Sequence, residues 1–316
     1  MAKYRNDLPQ LSGDLFLTDG GIETTLIFHD GFELPEFAAF DLLKNDEGID
    51  ALRKYFRTYA SIAREYQVGF ILESATWRAS SDWGVKLGYS AEELAEKNQQ
   101  AIELLDEIRG EYQDENTRMV ISGCVGPRRD GYNPSDFMTE EEAKSYHAAQ
   151  IETFCKTNAD MVTAITMTYL EEAVGITRAA KVSGMPVVIS FTVETDGKLP
   201  SGQTLKDAIQ KVDEATANYP AYYMINCAHP THFEGVLAAN EPWQQRIRGL
   251  RANASTLSHA ELDEAEELDD GSPSELSSQY KELRNKLSNL NVLGGCCGTD
   301  HRHIEEIIKA IDKANT

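Results

Sequence analysis

Two stretches of the 316-residue sequence carry residues whose type and spacing suit metal chemistry. The sharper one is Gly294-Gly295-Cys296-Cys297-Gly298. Adjacent side chains on a regular strand point to opposite faces, so two neighbouring thiols can aim at one point only if the backbone bends. Flanking glycines permit such a bend. The second stretch is Asn226-Cys227. Together Cys227, Cys296 and Cys297 would make a three-thiolate set with a fourth position open, the layout of a catalytic zinc site rather than a structural one. Soft thiolates favour Zn2+ over magnesium or calcium, and they leave the metal electron-rich and receptive to another sulfur. Two alternatives remain for the pair at 296 and 297: ordinary buried thiols or a vicinal disulfide. Cys124 and Cys155 have no comparable context and read as core. His301 and His303 open the final helix and read as exposed rather than as ligands.

The elements that must position these residues form a regular alternation. Short apolar, β-rich runs occur at 15–18, 69–72, 119–123, 161–167, 187–193, 222–226, 247–251 and 292–293, with helical stretches between them. Most runs are solidly hydrophobic, as strands covered on both faces should be. Arg246, Arg248 and Arg251 make the seventh the weakest. Ile49, Leu52, Tyr55, Phe56, Tyr59 and Ile62 share one helical face. Ser90 with Glu93, and Thr139 with Glu142, are capping boxes. Ser272-Pro273 starts a helix with proline in its first position. Ile304, Ile307, Ile308 and Ile311 form the buried stripe of the last helix. Eight strand–helix alternations favour a closed (β/α)8 TIM barrel, a single domain over residues 1–316. No GxGxxG follows the first strand, which counts against a dinucleotide fold. The acidic stretch 259–278 reads as a solvated insertion between strands seven and eight, with a gate over the barrel mouth as the other reading.

Bulk composition narrows the partners. A net charge of −22 repels polyphosphate, so nucleic acid is not expected as a partner. No apolar run is long enough to span a membrane, and Met1 to Gln10 has no signal-peptide core. The expected location is cytoplasmic, where thiols stay reduced.

In barrel enzymes the working residues lie where strands end. Those ends here hold Asp19-Gly20-Gly21, Glu73-Ser74-Ala75-Thr76, Gly126-Pro127, Ser190-Phe191-Thr192, Asn226-Cys227 and Gly294 to Thr299. This set resembles the homocysteine S-methyltransferase family over about residues 14–308. The resemblance implies that Cys227, Cys296 and Cys297 bind zinc and that homocysteine adds its thiol to the metal. It implies that Gly20 and Gly21 receive the substrate carboxylate through their N–H groups and Asp19 the ammonium group. Glu73, Thr76 and Asn226, at the ends of strands two and six, are further candidates for substrate contacts, although the second strand differs from the family's. A free thiol of pKa ~8.5 is only about 3% thiolate at neutral pH, which is the physical reason for a metal. The expected partners are therefore a small-molecule thiol acceptor and a methyl donor, with homocysteine converted to methionine.

One departure bears on the acceptor. The family carries a glutamate near the end of strand four for the ammonium group, whereas this sequence has Ile165 followed by Thr166; Glu171 and Glu172 fall in the next helix and read as solvent-facing. Either Glu73 or Glu194 supplies the charge from a neighbouring strand, or the acceptor is a thiol without an amino group. A methyl-corrinoid partner, and a non-catalytic barrel that binds zinc or a thiol, are the competing readings.

Overall fold

A computed structural model of the chain describes residues 2–132, 134–237, 241–265 and 267–312. Eight parallel strands close into a barrel in sequence order. They are β1 (Phe16–Leu17), β2 (Gly69–Glu73), β3 (Met119–Val125), β4 (Met161–Met167), β5 (Val187–Phe191), β6 (Tyr222–Asn226), β7 (Ile247–Ala252) and β8 (Val292–Gly295). Strand β8 pairs with β1 through Val292↔Phe16 and Leu293↔Leu17, which closes the ring. Each expected run is a strand, with bounds shifted by at most two residues. The arginines at the seventh run do not prevent this: Arg246 lies before β7 and pairs with Asp213 at 2.8 Å, while Arg251 lies within it and is buried.

The helices form where their caps and apolar stripes place them. Asn45 accepts the Gly48 N–H at the start of Asp46–Glu65, and both expected capping boxes are present at Ser90 and Thr139. Ser272 caps Pro273–Lys286. Ile304, Ile307, Ile308 and Ile311 of the helix His301–Asp312 are almost wholly buried. No helix among the described residues is long and apolar enough to cross a membrane.

The barrel lumen changes character along its axis. Its lower part is an apolar plug of Phe16, Ile71, Val120, Met161, Val188, Met224 and Val292, closed beneath by Leu8. Above it the buried residues turn polar. Ser122 Oγ lies 2.7 Å from Thr163 Oγ1, and Thr163 donates to Glu73 Oε1 at 2.9 Å. That polar layer is the floor of the mouth.

Candidate metal centre

Cys227 follows β6, and Cys296 and Cys297 follow β8. Their sulfurs all lie within 4.8 Å of one another, and Cys227 Sγ is 3.8 Å from Cys297 Sγ. Three thiolates ~2.3 Å from a tetrahedral ion would sit about 3.8 Å apart, so the observed spacing fits a metal. All five cysteines are free thiols, and the 296–297 pair is not a disulfide.

The backbone between the two cysteine-bearing loops produces this convergence. β7 lies between β6 and β8, and its end holds both cysteine loops. The Cys227 N–H donates to Arg251 O at 3.1 Å, the Cys296 N–H to Ala252 O at 2.9 Å, and the Ala254 N–H to Cys297 O at 3.0 Å. Cys227 itself adopts a left-handed conformation with φ 52°, which turns its side chain off the strand direction. Glycine is required at 295, where a Cβ would lie 2.1 Å from Thr299 Oγ1, and Gly298 takes the positive φ (+78°) that ends the bend.

The three thiols compete for charge. Hydrogen bonds from Cys227 and then Cys297 draw the Cys296 thiol below its ordinary value, while Cys227 is pushed up chiefly by Cys296 and Cys297 chiefly by Cys227. A bound cation would remove this competition.

Tyr132 covers the sulfurs. Its hydroxyl is 3.2 Å from Cys297 Sγ and 3.8 Å from Cys227 Sγ, and its ring stacks on His259 with centroids 4.1 Å apart. His259 is buried, with Nε2 2.6 Å from Cys227 O and Nδ1 3.0 Å from Glu194 Oε1. His259 begins the acidic stretch, so that stretch is anchored over the centre. Leu262, Ala265, Glu267, Leu268 and Asp269 line the mouth; the two leucines are half-buried, whereas Ala265, Glu267 and Asp269 are exposed, as is Glu264. The expected solvated insertion thus also covers the pocket, with two leucines half-buried over it.

The pocket beneath has a volume of about 330 Å³ and is lined by Asp19, Gly20, Gly21, Glu23, Glu73, Ile165, Thr166, Arg251 and the three cysteines, among others. Asp19 is buried: its Oδ1 faces Arg251 Nη2 at an ion-pair distance of 2.7 Å without accepting a hydrogen bond, and the Tyr55 hydroxyl donates to Oδ2 at 2.8 Å. Burial nevertheless pushes the Asp19 carboxyl up, against the pull of Arg251. The Gly21 N–H is donated to Thr299 O at 3.0 Å, so a carboxylate nest at this turn would rest on Gly20 alone. Glu73 faces the pocket with its carboxyl pushed up to about 7 by burial. Thr76 turns away, donating to Cys124 O at 2.8 Å. Asn226 sits behind the site. It accepts the Thr166 N–H at 3.0 Å and points Nδ2 at Cys296 Sγ from 4.0 Å, so it positions neighbours rather than lining the pocket.

Several expectations need correction. His301 is exposed as expected, but His303 is fully buried, because Asp300 and the Asp270 carbonyl satisfy both of its nitrogens. Glu172 is buried too, paired with His147 at 2.9 Å and accepting the Arg128 N–H; apolar neighbours in sequence gave no hint of that partner. Cys124 is buried core as expected, yet it also lines the pocket. Cys155 is half-buried and donates to Ser183 O. Glu194 lies outside the pocket lining and is engaged with His259. Sequence reasoning missed Tyr132, Arg251 and Glu23. The first follows Gly131 in the long loop after β3, a position where barrel enzymes place working residues.

Comparisons with known proteins agree with this geometry. Residues 16–311 match the sequence model of the homocysteine S-methyltransferase family. Betaine–homocysteine S-methyltransferase 1 of Rattus norvegicus is 25% identical over 262 residues, 76% of this chain but 60% of that protein. Its Bos taurus counterpart is 24% identical over 321 residues, covering 95% of this chain and 73% of the relative. Among solved structures, the oxidized form of the homocysteine methyltransferase MmuM from Escherichia coli superposes with a TM-score of 0.74 at 18% identity, covering 96% of each chain. The metallated form of the same protein gives 0.73, over 94% of this chain and 96% of that one. These likenesses in structure concern the fold. The family match covers nearly the whole barrel, from β1 to the last helix, and with it both cysteine stretches: the chain belongs to the homocysteine S-methyltransferase family.

Proposed function

We propose that this chain transfers a methyl group from a sulfonium or similar donor to the thiol of homocysteine, giving methionine, at a zinc ion held by Cys227, Cys296 and Cys297. The convergence of these three sulfurs at the barrel mouth carries the reading. Thiolates suit zinc, and the family places the chemistry on a thiol. When bound, zinc would hold the acceptor sulfur as thiolate at neutral pH.

The residues of the chain supply the rest. Transfer forms one S–C bond from the acceptor's lone pair, while the donor keeps the electron pair of the bond that breaks and the thiol proton passes to solvent. No side chain needs to remove a proton from the methyl group, so the protein acts by orientation and exclusion of water. Tyr132 and the His259 segment close the mouth over the sulfurs, and Asn226 with Thr166 braces them from behind.

The test is a matrix of donors and acceptors on protein purified under reducing conditions with its metal measured. S-methylmethionine, S-adenosylmethionine, betaine and methylcobalamin are offered as donors. One zinc per chain and methionine formation from at least one donor are expected. Metal-free protein, or no methionine from any donor, overturns the proposal. A second reading, an acceptor without an amino group, is favoured by one observation: Arg251 already occupies Asp19. Adding 4-mercaptobutanoate, the des-amino counterpart of homocysteine, to the same matrix separates the two.

A further inference from the structure

We propose that Glu23 selects the acceptor: its carboxylate receives the α-ammonium group of an amino-acid thiol whose sulfur lies at the cysteine centre. This rests on the function proposed above and assigns a residue to the end of the substrate remote from sulfur.

The argument is one of availability. An ammonium group entering the pocket needs a carboxylate that is open to it and not already matched. Asp19 has its charge matched by Arg251 at Oδ1 and accepts the Tyr55 hydroxyl at Oδ2, in a residue only 2% exposed. Glu73 gives Oε1 to Thr163, and its Oε2 is enclosed in a residue only 5% exposed. Asp130 accepts the Tyr132 N–H and faces Arg78 at 3.8 Å. Asp269 accepts from Ser255 and from the Gly271 N–H, out on the covering segment. Glu267 also lines the pocket, but it is exposed to solvent on the covering segment. Glu23 differs from all five. It lines the pocket and is half-buried, and among the described residues no side chain donates a hydrogen bond to it or forms an ion pair with it.

Its position is fixed relative to the sulfurs. Glu23 lies in the single turn Ile22–Thr24 directly after Gly21. Gly21 packs so tightly on the cysteine loop that a Cβ there would lie 2.6 Å from Cys296 O. One residue beyond Glu23, Thr24 Oγ1 accepts the Gly298 N–H at 3.0 Å. Two contacts therefore clamp the turn carrying Glu23 to the loop carrying Cys296 and Cys297, and Glu23 is near enough to feel the Cys296 charge. A buried polar atom nearby points to a polar occupant as well. Arg251, 6% exposed and lining the same pocket, has Nη1 without a hydrogen-bond partner. Buried charges normally find partners, so an orphaned guanidinium donor beside the pocket suits an occupant that carries a carboxylate better than an apolar group. Burial has raised the Glu23 carboxyl to about 7, and an ammonium partner would restore its charge.

The experiment compares binding of homocysteine and 4-mercaptobutanoate to zinc-loaded wild type and Glu23→Gln by calorimetry, which needs no methyl donor. The variant is expected to keep its zinc, to lose about 30-fold or more in homocysteine affinity, and to bind 4-mercaptobutanoate as well as wild type does, since only the ammonium contact is removed. Glu73→Gln serves as a second variant and is expected to change the ratio of the two affinities far less. Equal loss for both thiols in Glu23→Gln, or no loss for homocysteine, overturns the assignment. Wild type that binds the two thiols equally also overturns it while leaving the proposed function standing. Wild type that binds neither overturns both.

Discussion

The cysteine end and the charged end of the pocket are built on different principles. At the sulfur end, main-chain hydrogen bonds from β7 and the shapes of Gly295, Gly298 and Cys227 set the geometry. At the other end, charged side chains from distant strands neutralise one another, with Arg251 on Asp19 and Glu73 nearby. A site fixed by backbone tolerates little change of residue type, whereas one fixed by side-chain charge can be re-tuned by single substitutions. Metal retention and acceptor choice should therefore separate under mutation.

The strongest way to break this contrast is at the cysteines. Cys297→Ala is expected to abolish stoichiometric metal, read by elemental analysis, and to reduce methyl transfer at least 10³-fold. Full transfer in that variant would show that the backbone-built end is not the reactive one. Next in size is Arg251→Met, which leaves Asp19 buried without its cation. Breaking a buried pair in this way should cost about 3–5 kcal/mol in chemical denaturation, and a neutral outcome would mean that Asp19 is protonated in the fold. Tyr132→Phe tests the cover: it removes the hydroxyl beside Cys297 and is expected to speed metal loss to a chelator several-fold while leaving stability within about 0.5 kcal/mol.

The smallest effect concerns Glu73 and its pH dependence. Its folded carboxyl sits near 7, against 4.5 for the free group, so the folded state binds the proton more tightly. Stability attached to this group is therefore present below pH 4.5 and falls as pH rises towards 7. Glu73→Gln lacks that loss. Its melting temperature relative to wild type should rise between pH 5 and 7, and a flat difference would sink the assignment.

What could be read from the sequence follows the same division. The cysteine pair among glycines and the eight apolar runs are local patterns, and local patterns survive in one dimension. So do the capping boxes at Ser90 and Thr139. The Asp19–Arg251 contact joins strands at opposite ends of the chain, and nothing beside either residue announces the other. His303 and Glu172 read as surface because helical position alone was visible, not the Asp300, Asp270 and His147 groups that bury them. In the acidic stretch, Leu262, Ala265 and Leu268 recur three apart, a stripe masked by the acids around them. The left-handed turn at Thr166 gave no signal either, since threonine rarely adopts it.

The staple formed by β7 has a consequence for biosynthesis. Both cysteine loops hang from a strand that must itself be clasped between its neighbours, and the second loop is made only after β8 has been translated. A growing chain can offer Cys227 alone, a single sulfur with little hold on an ion. The full set of sulfurs arises only when the eighth strand docks against the seventh and the first, so a metal held there would certify that the ring has closed.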